Sequence, residues 1–210
     1  NDDWQDLLQR AFVLARKNLE KEAQSRGCEL RDLGTTLIVF TAFPGGIAIA
    51  QSGDGAVVVQ SDDGILTTFS SPQRGEYANE TVPLTMDNAL ERVRYSVQAN
   101  SIRNIAAFSD GLQNLALITA TYEPFEPFFT PLFNFLNAST DTAAVEEKIK
   151  AFLGSEKICG KTDDDKTLLL AAWSVDTPAA SEQENNVSEE MDSQAEPSMD
   201  NPDETSEAGA

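Results

Sequence analysis

No histidine occurs anywhere in the 210 residues. That absence removes Ser-His-Asp and Cys-His nucleophile systems, imidazole general bases and every zinc site that needs an imidazole ligand. Cysteine is nearly as scarce: Cys28 and Cys159 are the only two, and neither sits in a CxxC or Cys-rich context. Neither a disulfide framework nor a thiolate metal site is indicated, and a reducing, cytoplasmic location is expected. Long apolar runs are missing as well. The longest, Leu168 to Trp173, has six residues against the roughly 20 needed to span a bilayer, and no basic and apolar leader opens the chain, so no membrane association is expected. Positive charge is in short supply, with 15 Lys and Arg against 35 Asp and Glu for a formal net charge of −20. Such a polyanion repels phosphate backbones and anionic lipid alike, which argues against nucleic acid as a partner. Carboxylate is what the chain has in quantity, and carboxylate suits hard cations such as Mg²⁺, Mn²⁺ or Ca²⁺.

The clearest boundary lies near Asp176. From Thr177 to Ala210 there are ten acidic residues, no Lys or Arg, and no Leu, Ile, Phe, Tyr or Trp. A segment of that composition cannot bury enough apolar area to offset the entropy of ordering it, so 1–176 is expected to be one domain and 177–210 a disordered acidic tail. Within the domain, Trp4, Leu7, Leu8, Ala11, Phe12, Leu14, Ala15 and Leu19 recur at the spacing of an amphipathic helix over 3–26, with Gly27 placed to end it. Four short β-rich runs follow, Thr35–Thr41, Gly46–Gln51, Ala56–Gln60 and Ile65–Phe69. The turns between them, Pro44-Gly45, Gly53-Asp54-Gly55 and Asp62-Asp63-Gly64, suggest an antiparallel meander. Thr36–Phe40 is apolar nearly throughout, the pattern of a strand covered on both faces. Val93–Ala99 and Ile102–Phe108 read as a second hairpin turning at Asn100. The phenylalanines between Pro124 and Leu136 read as core rather than a ligand cage, Asp141–Leu153 is a further amphipathic helix, and Thr167–Trp173 is a final strand.

One tempting pattern fails. Gly154–Thr162 reads GSEKICGKT, but five residues rather than four separate its glycines and an acidic turn and strand follow, whereas a phosphate-binding loop works by feeding a helix N-terminus. The informative constellation is a set of aspartates at strand ends: Asp54 in Gly-Asp-Gly, Asp110 in Ser-Asp-Gly, and Asp163 to Asp165 immediately before a strand. Short acidic side chains on tight turns can converge at a sheet rim around a hard divalent cation. Singly, each is also an ordinary turn.

In order along the chain, Leu33-Gly34-Thr35-Thr36, Gly53-Asp54-Gly55, Ala107-Phe108-Ser109-Asp110-Gly111-Leu112 and Asp164-Asp165-Lys166-Thr167 resemble the metal-dependent protein phosphatases of type 2C. Gly75-Glu76-Tyr77-Ala78-Asn79-Glu80-Thr81 and Pro127-Phe128-Phe129 are similar to a bacterial, cyanobacterial-type branch of that family. The resemblance covers Asp3 to Val175 and implies an α+β fold, a layered α-β-β-α sandwich of two antiparallel sheets flanked by helices. It implies hydrolysis of phosphoserine and phosphothreonine in a phosphoprotein substrate by water activated at two Mg²⁺ or Mn²⁺ ions, in a monomer. Carried over motif by motif, it makes Asp110 and Asp164 metal ligands and Asp54 an outer or third-metal candidate. Asp165 stands where many members have Asn, which leaves the choice between Asp164 and Asp165 open. The family's early Arg- and Asp-containing segment and its Asp-Gly-x-Gly-type loop have no counterpart, and the chain opens on Asn1, so the domain is expected to be N-terminally incomplete. The competing expectation is a non-catalytic phosphatase-like module for protein interaction; a Ca²⁺-binding β domain would need a loop with EF-hand spacing, and none is present.

Overall fold

The computed structural model describes residues 2–70 and 81–173. The chain opens with helix α1 (Asp2–Arg26) and a short 3-10 turn at Leu30–Leu33. Strands β1 (Leu37–Phe43), β2 (Gly46–Ser52), β3 (Ala56–Ser61) and β4 (Leu66–Ser70) follow. After residues 71–80 come β5 (Arg94–Gln98) and β6 (Ile102–Phe108). The short α2 (Gln113–Ala116), α3 (Glu126–Ala138), α4 (Thr142–Leu153), the short α5 (Glu156–Cys159) and β7 (Leu168–Ala172) complete the order.

The strands form two antiparallel sheets, β1-β2-β5 and β4-β3-β6-β7. This arrangement corrects the meander and the second hairpin expected from the turns. β1 and β2 pair as a hairpin, as do β3 and β4, but Gly53-Asp54-Gly55 carries the chain from one sheet to the other, and Ser101 lies at a second change of sheet between β5 and β6. A tight turn shows only that the chain reverses. Whether the two strands then pair or face each other depends on how many of their faces must be buried, and here the central strands bury both.

Alternation along those strands sorts the core into three layers. Ile47 and Ile49 of β2 meet Val57 and Val59 of β3 and Ile105 and Ala107 of β6 between the sheets. The alternate residues of β2, Ala48 and Ala50, face Leu8 and Phe12 of α1. Those of β3 and β6, Ala56, Val58, Ala106 and Phe108, face Phe129, Leu132 and Phe133 of α3. The result is the helix-sheet-sheet-helix layering expected for the family resemblance. Small residues such as Ala48, Ala50, Ala56 and Ala106 on the outer faces let the helices approach, and most of the large side chains come from the helices. Of the phenylalanines in the 124–136 stretch, Phe128, Phe129, Phe133 and Phe135 are buried, which is the core reading.

Helix α1 lies where its apolar stripe predicts, with Trp4 stacked on Phe43 at 4.6 Å between ring centroids. Leu7 and Leu14, counted with the stripe from the sequence, are instead exposed. Arg16 donates to the carbonyls of Leu84, at 2.7 Å, and Met86, tying the segment after residue 80 to this helix. The glycines of the GSEKICGKT stretch terminate helices: Gly154 N–H donates to Lys150 O and Gly160 N–H to Glu156 O. Among the described residues no helix is long and apolar enough to cross a membrane. The Gly75–Glu80 part of the family-like segment and the expected acidic tail at 177–210 lie outside the described residues.

Candidate functional site

Three loops meet at one end of the sandwich. The first is the crossover that carries Asp54 between β2 and β3. Its geometry is enforced from below: the buried Gln51 side chain donates to the carbonyls of Gly53 and Gly55, and Gly53 holds φ +110° against Thr36, leaving no room for a side chain. The Asp54 carboxylate accepts from Thr81 Oγ1, and its backbone carbonyl accepts from Gln113 Nε2. Both contacts fix the aspartate from neighbouring segments.

The second loop leaves β6 at Ser109 and enters a 3-10 turn at Asp110–Leu112. The third, ahead of β7, holds Asp164 and Asp165. Reciprocal bonds weld these two together. Ser109 N–H donates to Thr167 O at 3.1 Å, Thr167 N–H donates to Ser109 Oγ at 3.1 Å, and Ser109 Oγ donates to Asp165 O at 3.2 Å. Gly111 is buried flat against this joint: a Cβ there would overlap the Asp165 carbonyl oxygen and stand 3.4 Å from Asp164 Cβ. Glycine at 111 is therefore what lets the Ser-Asp-Gly turn and the Asp-rich turn touch.

Asp110 consequently sits in the field of two other carboxylates. Partial burial first, then the negative charges of Asp54 and Asp164, hold its carboxyl above the ordinary aspartate range, against the opposing pull of the Gly111 N–H that donates to it at 2.9 Å. Asp165 does not figure among the charges acting on Asp110. Its backbone is what engages the site: the N–H donates to Asp164 Oδ1 at 2.8 Å and the carbonyl receives Ser109 Oγ. The charges of Asp54 and Asp164 thus both reach Asp110, while Asp165 is exposed alongside. Lys166 Nζ donates to the Asp164 carbonyl at 3.2 Å, bringing one positive charge to an otherwise negative rim.

The donor set is the right chemistry for a hard divalent cation, since a carboxyl such as that of Asp110, whose ionised form is disfavoured by burial and neighbouring negative charge, is relieved by a metal ion as well as by a proton. It is a partial set. Among the described residues no group of three or more carboxylate or thiolate side chains lies close enough together to hold a metal ion. Residues the sequence motifs do not flag also support the loops: Gln51 and Gln113 act through hydrogen bonds to loop backbone, and nothing in their spacing distinguishes them from other polar residues.

Comparison with known proteins places these features in a wider set. The family model described as Protein phosphatase 2C matches residues 1–154. Serine/threonine-protein phosphatase 3 of Escherichia coli is 39% identical over 171 residues, covering 80% of this chain and 67% of that protein. A crystal structure of a bacterial serine phosphatase carrying a point mutation superposes with a TM-score of 0.51 at 16% identity, over 80% of this chain and 66% of its own length. PppA, a key regulatory component of T6SS in Pseudomonas aeruginosa, gives the same score and identity over 79% of this chain and 68% of that one. The two structural likenesses speak for the fold, and this chain spans about two thirds of the length of each of these relatives.

Proposed function

The chain belongs to the protein phosphatase 2C family, and from that membership we propose that it serves the metal-dependent hydrolysis of phosphoserine and phosphothreonine esters in phosphoprotein substrates. One observation carries the reading: Asp110, in a Ser-Asp-Gly turn after β6, has its ionised form disfavoured by partial burial and by the charges of Asp54 and Asp164 from two other loops. Divalent cations bound there, Mg²⁺ or Mn²⁺, would supply Lewis acidity, an activated water and neutralisation of phosphoryl oxygens.

In the proposed arrangement Asp110 and Asp164 are ligands. Asp54, anchored by Thr81 and Gln113, is an outer or additional ligand, and Asp165 shapes the loop through its backbone. The reaction forms one P–O bond to water and breaks the ester P–O bond, with the proton finishing on the serine or threonine hydroxyl. No imidazole is present in the sequence to shuttle that proton. Asp110 must be ionised to act as a ligand, so protons compete with metal at this carboxyl. Ser109 and Gly111 keep the two ligand-bearing turns in register, and a two-metal site demands that spacing. The remaining ligands of a two-metal centre are proposed to come from outside the described residues. The non-catalytic alternative has no observation in its favour beside a named phosphatase at 39% identity.

The test is Mn²⁺ binding, read by calorimetry, together with hydrolysis of p-nitrophenyl phosphate and a phosphothreonine peptide. Asp110→Asn and Asp164→Asn are each expected to weaken Mn²⁺ binding at least tenfold and to remove whatever turnover the chain supports. Asp165→Asn, which installs the residue common in the family, is expected to retain both. Unchanged Mn²⁺ binding in Asp110→Asn would refute the ligand assignment.

A further inference from the structure

At the opposite end of the same sheet lies a polar cavity that the phosphatase reading does not use. β6 is seven residues long, so at about 3.3 Å per residue the two ends of the sheet are roughly 20 Å apart. The cavity, about 370 Å³, opens between the ends of β3 and β6 and the C-terminal part of α3, and is lined by Gln60, Asp62, Arg103, Asn134 and Asn137 among others. That volume falls at the small end of the range for ligand pockets, which suits a metabolite of about ten heavy atoms rather than a cofactor or a peptide.

Its chemistry is unlike the rest of the helix-sheet interface. Ala56 and Val58, Ala106 and Phe108 pack as apolar core on this face, but one step further along each strand the pattern turns to carboxamide, with Gln60 on β3 and fully buried Asn104 on β6. Asn104 Nδ2 donates to Gln60 Oε1 at 2.7 Å, while Asn104 Oδ1 is buried with no donor. Buried acceptors are rarely left unpaired, because the lost solvation is not recovered. Gln60, which lines the cavity and accepts from Asn104, itself donates to Gly64 O over a long 3.4 Å. Two opposite formal charges share the cavity. Asp62 and Arg103 are both exposed, and neither takes part in an ion pair among the described residues. The outgoing carbonyls of α3 add negative potential on the Asn134 and Asn137 side.

We propose that this cavity binds a small zwitterion, a free α-amino acid. Arg103 would take the carboxylate through its paired N–H groups, Asp62 and the helix C-terminal end would take the ammonium, and the carboxamides of Asn134, Asn137 and Gln60 would meet a polar side chain. A sugar would match the carboxamides but leave both charges without a counterpart, and a nucleobase would find no aromatic side chain to stack on. The proposal stands apart from the metal chemistry, because it concerns other residues and is read on protein stripped of metal.

The experiment is a thermal-shift and calorimetric survey of the EDTA-treated full chain against the twenty free amino acids at 10 mM, with glucose and adenosine as probes of the other two classes. At least one amino acid is expected to raise the midpoint by about 3 °C or more, as ligand linkage requires at concentrations well above Kd. Its N-acetyl and its carboxamide derivatives are each expected to lose that shift. Arg103→Gln and Asp62→Asn, both substitutions of exposed side chains, are expected to leave the unliganded midpoint within about 1 °C and to weaken binding tenfold or more. The proposal is overturned if no amino acid shifts the midpoint by 1 °C, if only glucose or adenosine does so, or if the shift survives in the Arg103→Gln, Asp62→Asn double variant.

Discussion

Asp110 links two measurable properties of the protein at the level of one side chain. Its carboxyl is held above the ordinary aspartate range in the folded state, chiefly by burial and then by Asp54 and Asp164. A carboxyl so raised contributes stability below the unfolded pKa of about 3.9 and loses it as the pH climbs through the folded value. At neutral pH the ionised form therefore strains the metal-free protein. Asp110→Asn is expected to raise the midpoint in EDTA at pH 7.5. Because Asp110 is exposed, the gain is limited to about 1 kcal/mol, or about 2–4 °C, and it should shrink as the pH falls and the carboxyl takes up a proton. Added Mn²⁺ should reverse the order, stabilising the wild-type chain and not the variant; a scan in EDTA and in Mn²⁺ at two pH values checks both signs. Gly111 offers a complementary prediction. Gly111→Ala drives a methyl group into the Asp165 carbonyl, a backbone atom that cannot step aside cheaply, and overpacking of this kind costs about 1–3 kcal/mol. Chemical denaturation should show that loss, with Mn²⁺ binding weakened alongside it.

Among the elements, the crossover between β2 and β3 does the positioning. Gly53→Ala is expected to destabilise the fold by about 1–3 kcal/mol and to weaken metal binding, since it places a methyl group on Thr36 at a φ of +110° that L-residues rarely adopt; denaturant midpoint and calorimetry read the two effects. This crossover also shows how far the sequence could be followed. The turn motifs picked out Asp54, Asp110 and Asp164, and in the fold the charges of Asp54 and Asp164 reach Asp110. The strands themselves were legible from their apolar runs. Pairing was not, because Gly-Asp-Gly has the composition of a hairpin turn and the demand that sent β3 into the other sheet comes from burial of Val57 and Val58 on opposite faces. β1 illustrates the same limit. Its unbroken apolar run correctly signals cover on both faces, with Ile38, Phe40 and Ala42 turned to the inter-sheet core and Leu37, Val39 and Phe43 to α1. Yet it is an edge strand whose seven residues are only half-buried. Complete burial falls to β2, where Gly, Ala, Gln and Ser dilute the apolar signal. Adjacent aspartates such as Asp164 and Asp165 look alike in sequence, whereas in the fold they differ: the Asp165 carbonyl receives Ser109 Oγ, and the Asp164 charge acts on Asp110.

For the whole molecule, charge sets the terms. A formal charge of −20 opposes compaction through self-repulsion, and salt screens it over a Debye length of about 8–10 Å. The midpoint of the metal-free protein is expected to rise between 10 and 150 mM NaCl. Mg²⁺ at matched ionic strength should raise it further in the wild-type chain than in Asp110→Asn, and that excess separates site occupancy from general screening. A rise of the same size in both proteins would place the effect of Mg²⁺ on the diffuse charge alone.

The weld between the Ser109 turn and the loop before β7 also has a consequence for synthesis. Asp110 and Asp164 are 54 residues apart in the sequence, and bacterial or eukaryotic ribosomes add about 5–20 residues per second. For roughly 3–11 s the nascent chain therefore carries Asp54 and Asp110 without the strand that completes their surroundings. Every strand that pairs with β3 is made before that interval, while β7 arrives after it. A growing polypeptide can thus bury much of its sandwich while the acidic rim stays open, and acquires the joined rim only when its last strand docks.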